Sequence, residues 1–95
     1  MTAMIELDLR NASGLHARPA ALFVRTASTF QADIQLENLS SGSSSVNAKS
    51  IISVLSLGIR AGHRVRISGH GADAELAVGQ LATLVASGLG ELLES

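Results

Sequence analysis

The ten residues Asn11 to Ala20, NASGLHARPA, constrain this chain more than any other stretch. They place Gly14, His16, Arg18 and Pro19 immediately before an apolar pattern with helical spacing. Pro19 fits the first turn of a helix, which has no intrahelical use for the missing amide proton. A helix is therefore predicted to begin near Ala17 or Arg18, with His16 at or beside its cap and unpaired backbone N–H groups directed outwards. A phosphoryl group placed there meets free amides, the positive end of the helix dipole and the guanidinium of Arg18. That setting suits a histidine that carries phosphate rather than one that moves protons.

A neutral imidazole supplies a nucleophilic nitrogen near pH 7, so His16 needs no separate base. No acidic residue lies nearby in the sequence to activate water, which predicts that a bound phosphoryl group is kept rather than hydrolysed. The motif has no Asp, Ser or Cys spaced as in a catalytic triad, although Ser13 is close. Arg18 is read as the charge partner of the phosphate, its fork suited to two oxygens. As a mere surface residue it would sit at the end of the helix that disfavours a cation. Gly14 is expected to permit a backbone conformation or a close approach that a side chain would block.

The rest of the chain supplies a scaffold. Met4 to Arg10 alternates, with Ile5, Leu7 and Leu9 on one face, and reads as a half-buried strand. Ala20, Phe23, Val24, Ala27 and Phe30 form the stripe of an amphipathic helix. Asp33 to Leu39 returns to a period of two, with Ile34, Leu36 and Asn38 on one face. Ser40 to Ser45, five serines around Gly42, reads as a hairpin loop leading to a short strand over Val46 to Lys49. Ser50 is placed to cap a helix over Ile51 to Leu57 that Gly58 ends. Arg64 to Gly69 alternates as a fourth strand. Ala74, Ala77, Val78, Leu81, Leu84 and Val85 mark a last helix, capped by Asp73 or a neighbour. Gly88 and Gly90 weaken its end, and Leu92 and Leu93 either pack as a final turn or fray. Amphipathic strands, rather than continuously apolar ones, predict an antiparallel or mixed sheet with helices on one face, an open-faced two-layer α/β domain.

Composition removes several function classes. The absence of cysteine leaves neither disulfides nor thiolate metal sites. A formal net charge of -1, no Trp or Tyr and two Phe provide neither a field nor stacking platforms for nucleic acid. Apolar runs are broken short of the roughly 20 residues needed to span a bilayer. Met1 to Arg10 has no basic region followed by an apolar core. A cytoplasmic, soluble, monomeric single domain over residues 1–95 is expected, without metal or other cofactor. His63 and His70 have no ligand spacing and are read as solvent-facing.

Ser50 has a second reading besides its cap. A phosphate there would meet the helix dipole and Lys49, while adding about two charges beside the apolar group Ile51, Ile52 and Leu55. That short helix is apolar in more directions than one buried stripe absorbs, so it is either sandwiched or waits for a partner.

The two stretches Gly14-Leu15-His16-Ala17-Arg18-Pro19-Ala20 with Phe23-Val24, and Val46-Asn47-Ala48-Lys49-Ser50-Ile51 with Ser56-Leu57-Gly58, resemble the two signatures of the HPr family, the histidine-containing phosphocarriers of the bacterial phosphoenolpyruvate:sugar phosphotransferase system. Gly69, Gly71, Asp73 and Ala77 are similar to the approach to that family's last helix. The resemblance implies an α+β open-faced β-sandwich, a four-stranded antiparallel sheet with three helices packed on one face. It implies that His16 is phosphorylated on Nδ1 by enzyme I and donates to an enzyme IIA domain in sugar uptake, with Arg18 beside it. It further implies that Ser50 is the target of a serine kinase/phosphorylase whose product recruits a transcriptional regulator, and that Ile51, Ile52 and Leu55 form the partner-contact patch. Such a protein is a co-substrate of its partners rather than an autonomous enzyme. Ser53 departs from the glycine of many members, and the Ser40 to Ser45 loop lacks their usual lysine. Two other classes stay open: a binding module regulated at Ser50, and the similar carriers of nitrogen-related or dihydroxyacetone kinase phosphotransfer.

Overall fold

The computed structural model describes residues 1–91, so the expected packing or fraying of Leu92 and Leu93 lies outside the described residues. In order the elements are β1 (Thr2–Asp8), α1 (Ala17–Ala27), β2 (Asp33–Asn38), β3 (Val46–Asn47), α2 (Ile51–Ser56), β4 (Arg64–His70) and α3 (Ala74–Ala86). The four strands form one open sheet in the order β1-β4-β2-β3, every pairing antiparallel. β1 and β2, joined through α1, run the same way without touching because β4 lies between them. The three helices cover one face of this sheet, as the family resemblance implies.

Register explains why the alternation is so regular. Ile5, Ile67 and Leu36 stand opposite one another across β1, β4 and β2 on the helix side. One position along, Glu6, Arg66 and Glu37 form the matching row on the open side. There Arg66 pairs with Glu6 at 2.7 Å and Glu37 at 3.3 Å, and Arg64 with Asp8 at 2.8 Å. Pairs on the solvent side of a sheet contribute little to stability, so they set register more than stability. Stability comes from the helix side, where Phe23, Leu36, Val54, Ile67 and Leu81 are wholly buried. Each such side chain contributes about 1.5–3 kcal/mol on leaving water. α3 lies over β1, β4 and β2, and α1 packs against α2 and α3.

The boundaries differ from the sequence pattern where tertiary pairing decides. β1 starts at Thr2 because β4 continues to His70, its partner in register. β1 ends at Asp8, and Leu9 turns away to exchange hydrogen bonds with His63 and Gly62. β3 is only two residues long, since the buried Ala48 then bonds Ile34 O and the chain turns into α2. α1 ends at Ala27, and Phe30 packs half-buried beyond it. Asp73 occupies the cap position of α3 without a side-chain cap bond; its carboxylate instead accepts from the amides of Gln31 (2.9 Å) and Ala32 (2.8 Å).

His63 corrects the expectation of a solvent-facing ring. It is half-buried, and its Nδ1 meets the amide of Arg60 at 3.1 Å and Asn38 Nδ2 at 3.2 Å. Asn38 itself is wholly buried; its Nδ2 also donates to Leu57 O, and its Oδ1 accepts from the amides of Ser40 and Ser41. One side chain thus ties the serine loop, the end of α2 and the start of β4 together. His70 is exposed, with its Nδ1 3.0 Å from Thr2 Oγ1.

Candidate functional site

His16 occupies the cap position of α1 with extended backbone (φ -137°, ψ 151°) and makes no side-chain cap bond, which leaves its imidazole exposed. Ala17, next in the chain, has φ 49°, a left-handed conformation that costs a non-glycine residue about 1–3 kcal/mol and persists only where the surroundings impose it. The turn from His16 into α1 is therefore a constrained one. Pro19 falls in the first helical turn and is buried, as its missing N–H allows.

Opposite His16 stands the connection from α2 to β4. Gly14 has φ 61°, and a Cβ there would collide with Ile59 O and lie 2.7 Å from Arg60 Cα. The amide of Leu15 bonds Ile59 O at 3.0 Å, so two loops distant in sequence press against each other. Together they enclose an open hollow of about 420 Å³ lined by Ser13, His16, Leu55, Gly58 and Arg60 among others. Arg60 is exposed, and no spacing in the chain singles it out beforehand; only the Gly14 contact brings it beside His16.

Arg18 borders a second hollow of about 360 Å³ with Arg25, Leu89 and Glu91. The Glu91 carboxylate, distant in the sequence, also reaches this loop. Its carboxylate accepts from Asn11 Nδ2 (2.9 Å), the Ser13 amide (3.1 Å) and Ser13 Oγ (2.8 Å), from 78 residues beyond Ser13. The Asn11 side chain foremost, then Ser13 and the charge of Arg18, hold this carboxyl below its ordinary range. The only sequence signal was Gly88 and Gly90, which read as weakening the last turn of the helix but serve as a turn towards the site.

α2 resolves the choice left open for it: Val54 is buried, while Ile51, Ile52 and Leu55 are 38, 78 and 39 % exposed. Leu55 shares the hollow with His16, which makes the apolar patch and the imidazole contiguous. Ser50, at the other end of α2, is half-buried and caps it, its Oγ accepting from the Ser53 amide at 3.3 Å. Lys49, beside it in the chain, donates from Nζ to Phe30 O at 2.7 Å. Among the described residues no group of three or more His, Asp or Glu is arranged to hold a metal, and no helix is long and apolar enough to cross a membrane. A further hollow of about 540 Å³, beside Thr26, Leu76, Gly79 and Leu84, contains none of these site residues.

Residues 4–87 match the family model described as the PTS HPr component phosphorylation site. The chain is 42 % identical over 86 residues to the multiphosphoryl transfer protein of Escherichia coli O157:H7, covering 90 % of this chain but 23 % of that one. It thus spans about a quarter of the length of such curated relatives. Among solved structures, HPr-C-His from Thermoanaerobacter tengcongensis superposes with a TM-score of 0.89 at 44 % identity, covering 96 % of this chain and 99 % of that one. The phosphocarrier protein HPr from Bacillus anthracis str. Ames gives 0.82 at 42 % identity, covering 88 % and 96 %.

Proposed function

The chain belongs to the HPr family of the phosphoenolpyruvate:sugar phosphotransferase system, and from that premise we propose that it carries a phosphoryl group on His16, accepted from enzyme I and donated to an enzyme IIA domain. The observation that carries this reading is an exposed, uncapped imidazole at the start of α1, contiguous with an exposed apolar patch and flanked by Arg18 and Arg60. The unprotonated ring nitrogen, Nδ1 by family resemblance, attacks phosphorus in line with the donor's P–N bond. The new N–P bond forms as the old one breaks, and the donor imidazole leaves with the electron pair. The constrained turn holds the ring without using it as a cap, while the amides of the first turn and Arg18 stabilise the phosphoryl oxygens. Donation reverses the step towards the acceptor's nucleophile.

Partner choice follows from the same surface. Ile51, Ile52 and Leu55 give enzyme I and the IIA domain an apolar contact beside His16, with arginines at its rim for acidic groups. Incubation with enzyme I and phosphoenolpyruvate should add one acid-labile, alkali-stable phosphate that is absent in His16→Ala. An unmodified wild type overturns the reading. Arg18→Ala should still accept phosphate, but about 10- to 100-fold more slowly, as expected for loss of one charge-assisted contact to the transferred group.

A second, compatible reading makes Ser50 a regulatory site for a serine kinase/phosphorylase. Its support is position: a hydroxyl at the cap of α2, next to Ile51 and Ile52, where a phosphate would put charge into the apolar contact. Incubation with such a kinase should label wild type but not Ser50→Ala; equal labelling of both removes this reading.

A further inference from the structure

The chain leaves α3 through Gly88, Leu89 and Gly90, all with positive φ (96°, 53° and 81°). Glycine adopts that conformation freely, whereas Leu89 must be held in it by its surroundings. It is 3 % exposed, its amide bonds Leu84 O at 3.1 Å, and the amide of Glu91 bonds Gly88 O at 2.9 Å. The turn brings the Glu91 carboxylate to the loop between β1 and α1. Asn11, wholly buried, divides its Nδ2 between Gly14 O and Glu91, both at 2.9 Å, and its Oδ1 has no hydrogen-bond partner among the described residues. Burying an unpaired carbonyl oxygen is unfavourable, so the two acceptors dictate which way this amide faces. Ser13 gives the same carboxylate both its amide and its hydroxyl.

We propose that Glu91 is a positioning residue for phosphoryl transfer: it clamps Asn11 and Ser13, fixing the loop that presents His16, and its charge beside Arg18 opposes that of a phosphoryl group on His16. The clamp holds the nucleophile for both halves of the transfer. The opposing charge makes phosphorylated His16 a readier donor than a histidine flanked by arginine alone. The consequence for transfer rests on the carrier reading; the clamp itself does not.

Two variants separate these effects: Glu91→Ala removes the clamp, while Glu91→Gln keeps the shape and removes the charge. In the unphosphorylated protein, hydrogen exchange at the Ser13 amide should become about tenfold faster in Glu91→Ala, with the strands of the sheet unchanged. With enzyme I and phosphoenolpyruvate, that variant should lose kcat several-fold at unaltered KM, because Glu91 lies outside the α2 patch. Glu91→Gln should shift the equilibrium with enzyme I roughly two- to threefold towards the phosphorylated carrier. Unchanged Ser13 exchange in Glu91→Ala overturns the clamp, and an unchanged equilibrium in Glu91→Gln overturns the charge effect. Faster exchange spread evenly over the sheet also overturns the positioning role, since Glu91 would then serve overall stability. A wild type that accepts no phosphate defeats the carrier reading and leaves the exchange result to judge the clamp.

Discussion

Gly14 and Asn38 carry more of this structure than their size suggests. A methyl group at Gly14 would combine a left-handed backbone with overlap against Ile59 and Arg60, neither of which is a flexible side-chain end. Gly14→Ala should therefore lose about 2–5 kcal/mol, read as a lower urea midpoint at unchanged slope. A loss below about 1 kcal/mol would show that the two loops separate freely. Asn38→Ala should cost about 1–3 kcal/mol, since it strips partners from Leu57 O and His63 Nδ1 in one step. The Gly14 requirement was legible in the chain, because a glycine two residues before a histidine at a helix start has few other uses. The role of His63 was not, since an imidazole's acceptor nitrogen finds its donors only when Asn38 and Arg60 arrive from other elements.

At the scale of an element, α2 is the informative one. Six residues are too few for stable isolated helix, so α2 depends on its Ser50 cap and on burying Val54. Ser50→Ala should cost about 1 kcal/mol in thermal unfolding, whether or not the serine is ever phosphorylated. Ile52→Asp should leave stability within about 0.5 kcal/mol, because that side chain is 78 % exposed. The same change should raise KM in transfer from enzyme I about tenfold or more. Equal KM values would mean that partners do not use this face. The excess of apolar residues over one stripe was visible beforehand. Which of them were left uncovered was decided by α1, which packs against α2 and leaves Ile51, Ile52 and Leu55 outside.

The molecule as a whole responds to acid through carboxylates that lock one segment to another. Asp73 joins the start of α3 to the turn before β2, and the amide of Gln31 first, then that of Ala32, hold its carboxyl below the ordinary value. Glu91 is held low in the same direction at the His16 loop. A carboxyl whose folded value lies below its unfolded value adds stability above the unfolded value, and loses that contribution as pH falls through the folded one. Wild type should thus weaken as pH drops below roughly 4, and Asp73→Asn should be weaker at neutral pH with a shallower acid limb by circular dichroism. Parallel acid limbs would remove Asp73 from this account. The sequence by itself determined the periods of the strands and helices, the helix start at His16 and the cap at Ser50, because these depend on neighbours within a turn or two. It did not determine that β4 inserts between β1 and β2, since strand–helix–strand succession serves parallel and antiparallel sheets alike. Nor did it place Arg60 beside His16, or Glu91 against Asn11 and Ser13. Those contacts join residues far apart along the chain, and only packing of the helices on the sheet, with the turn through Leu89, brings their charges within reach of the opening NASGLHARPA loop.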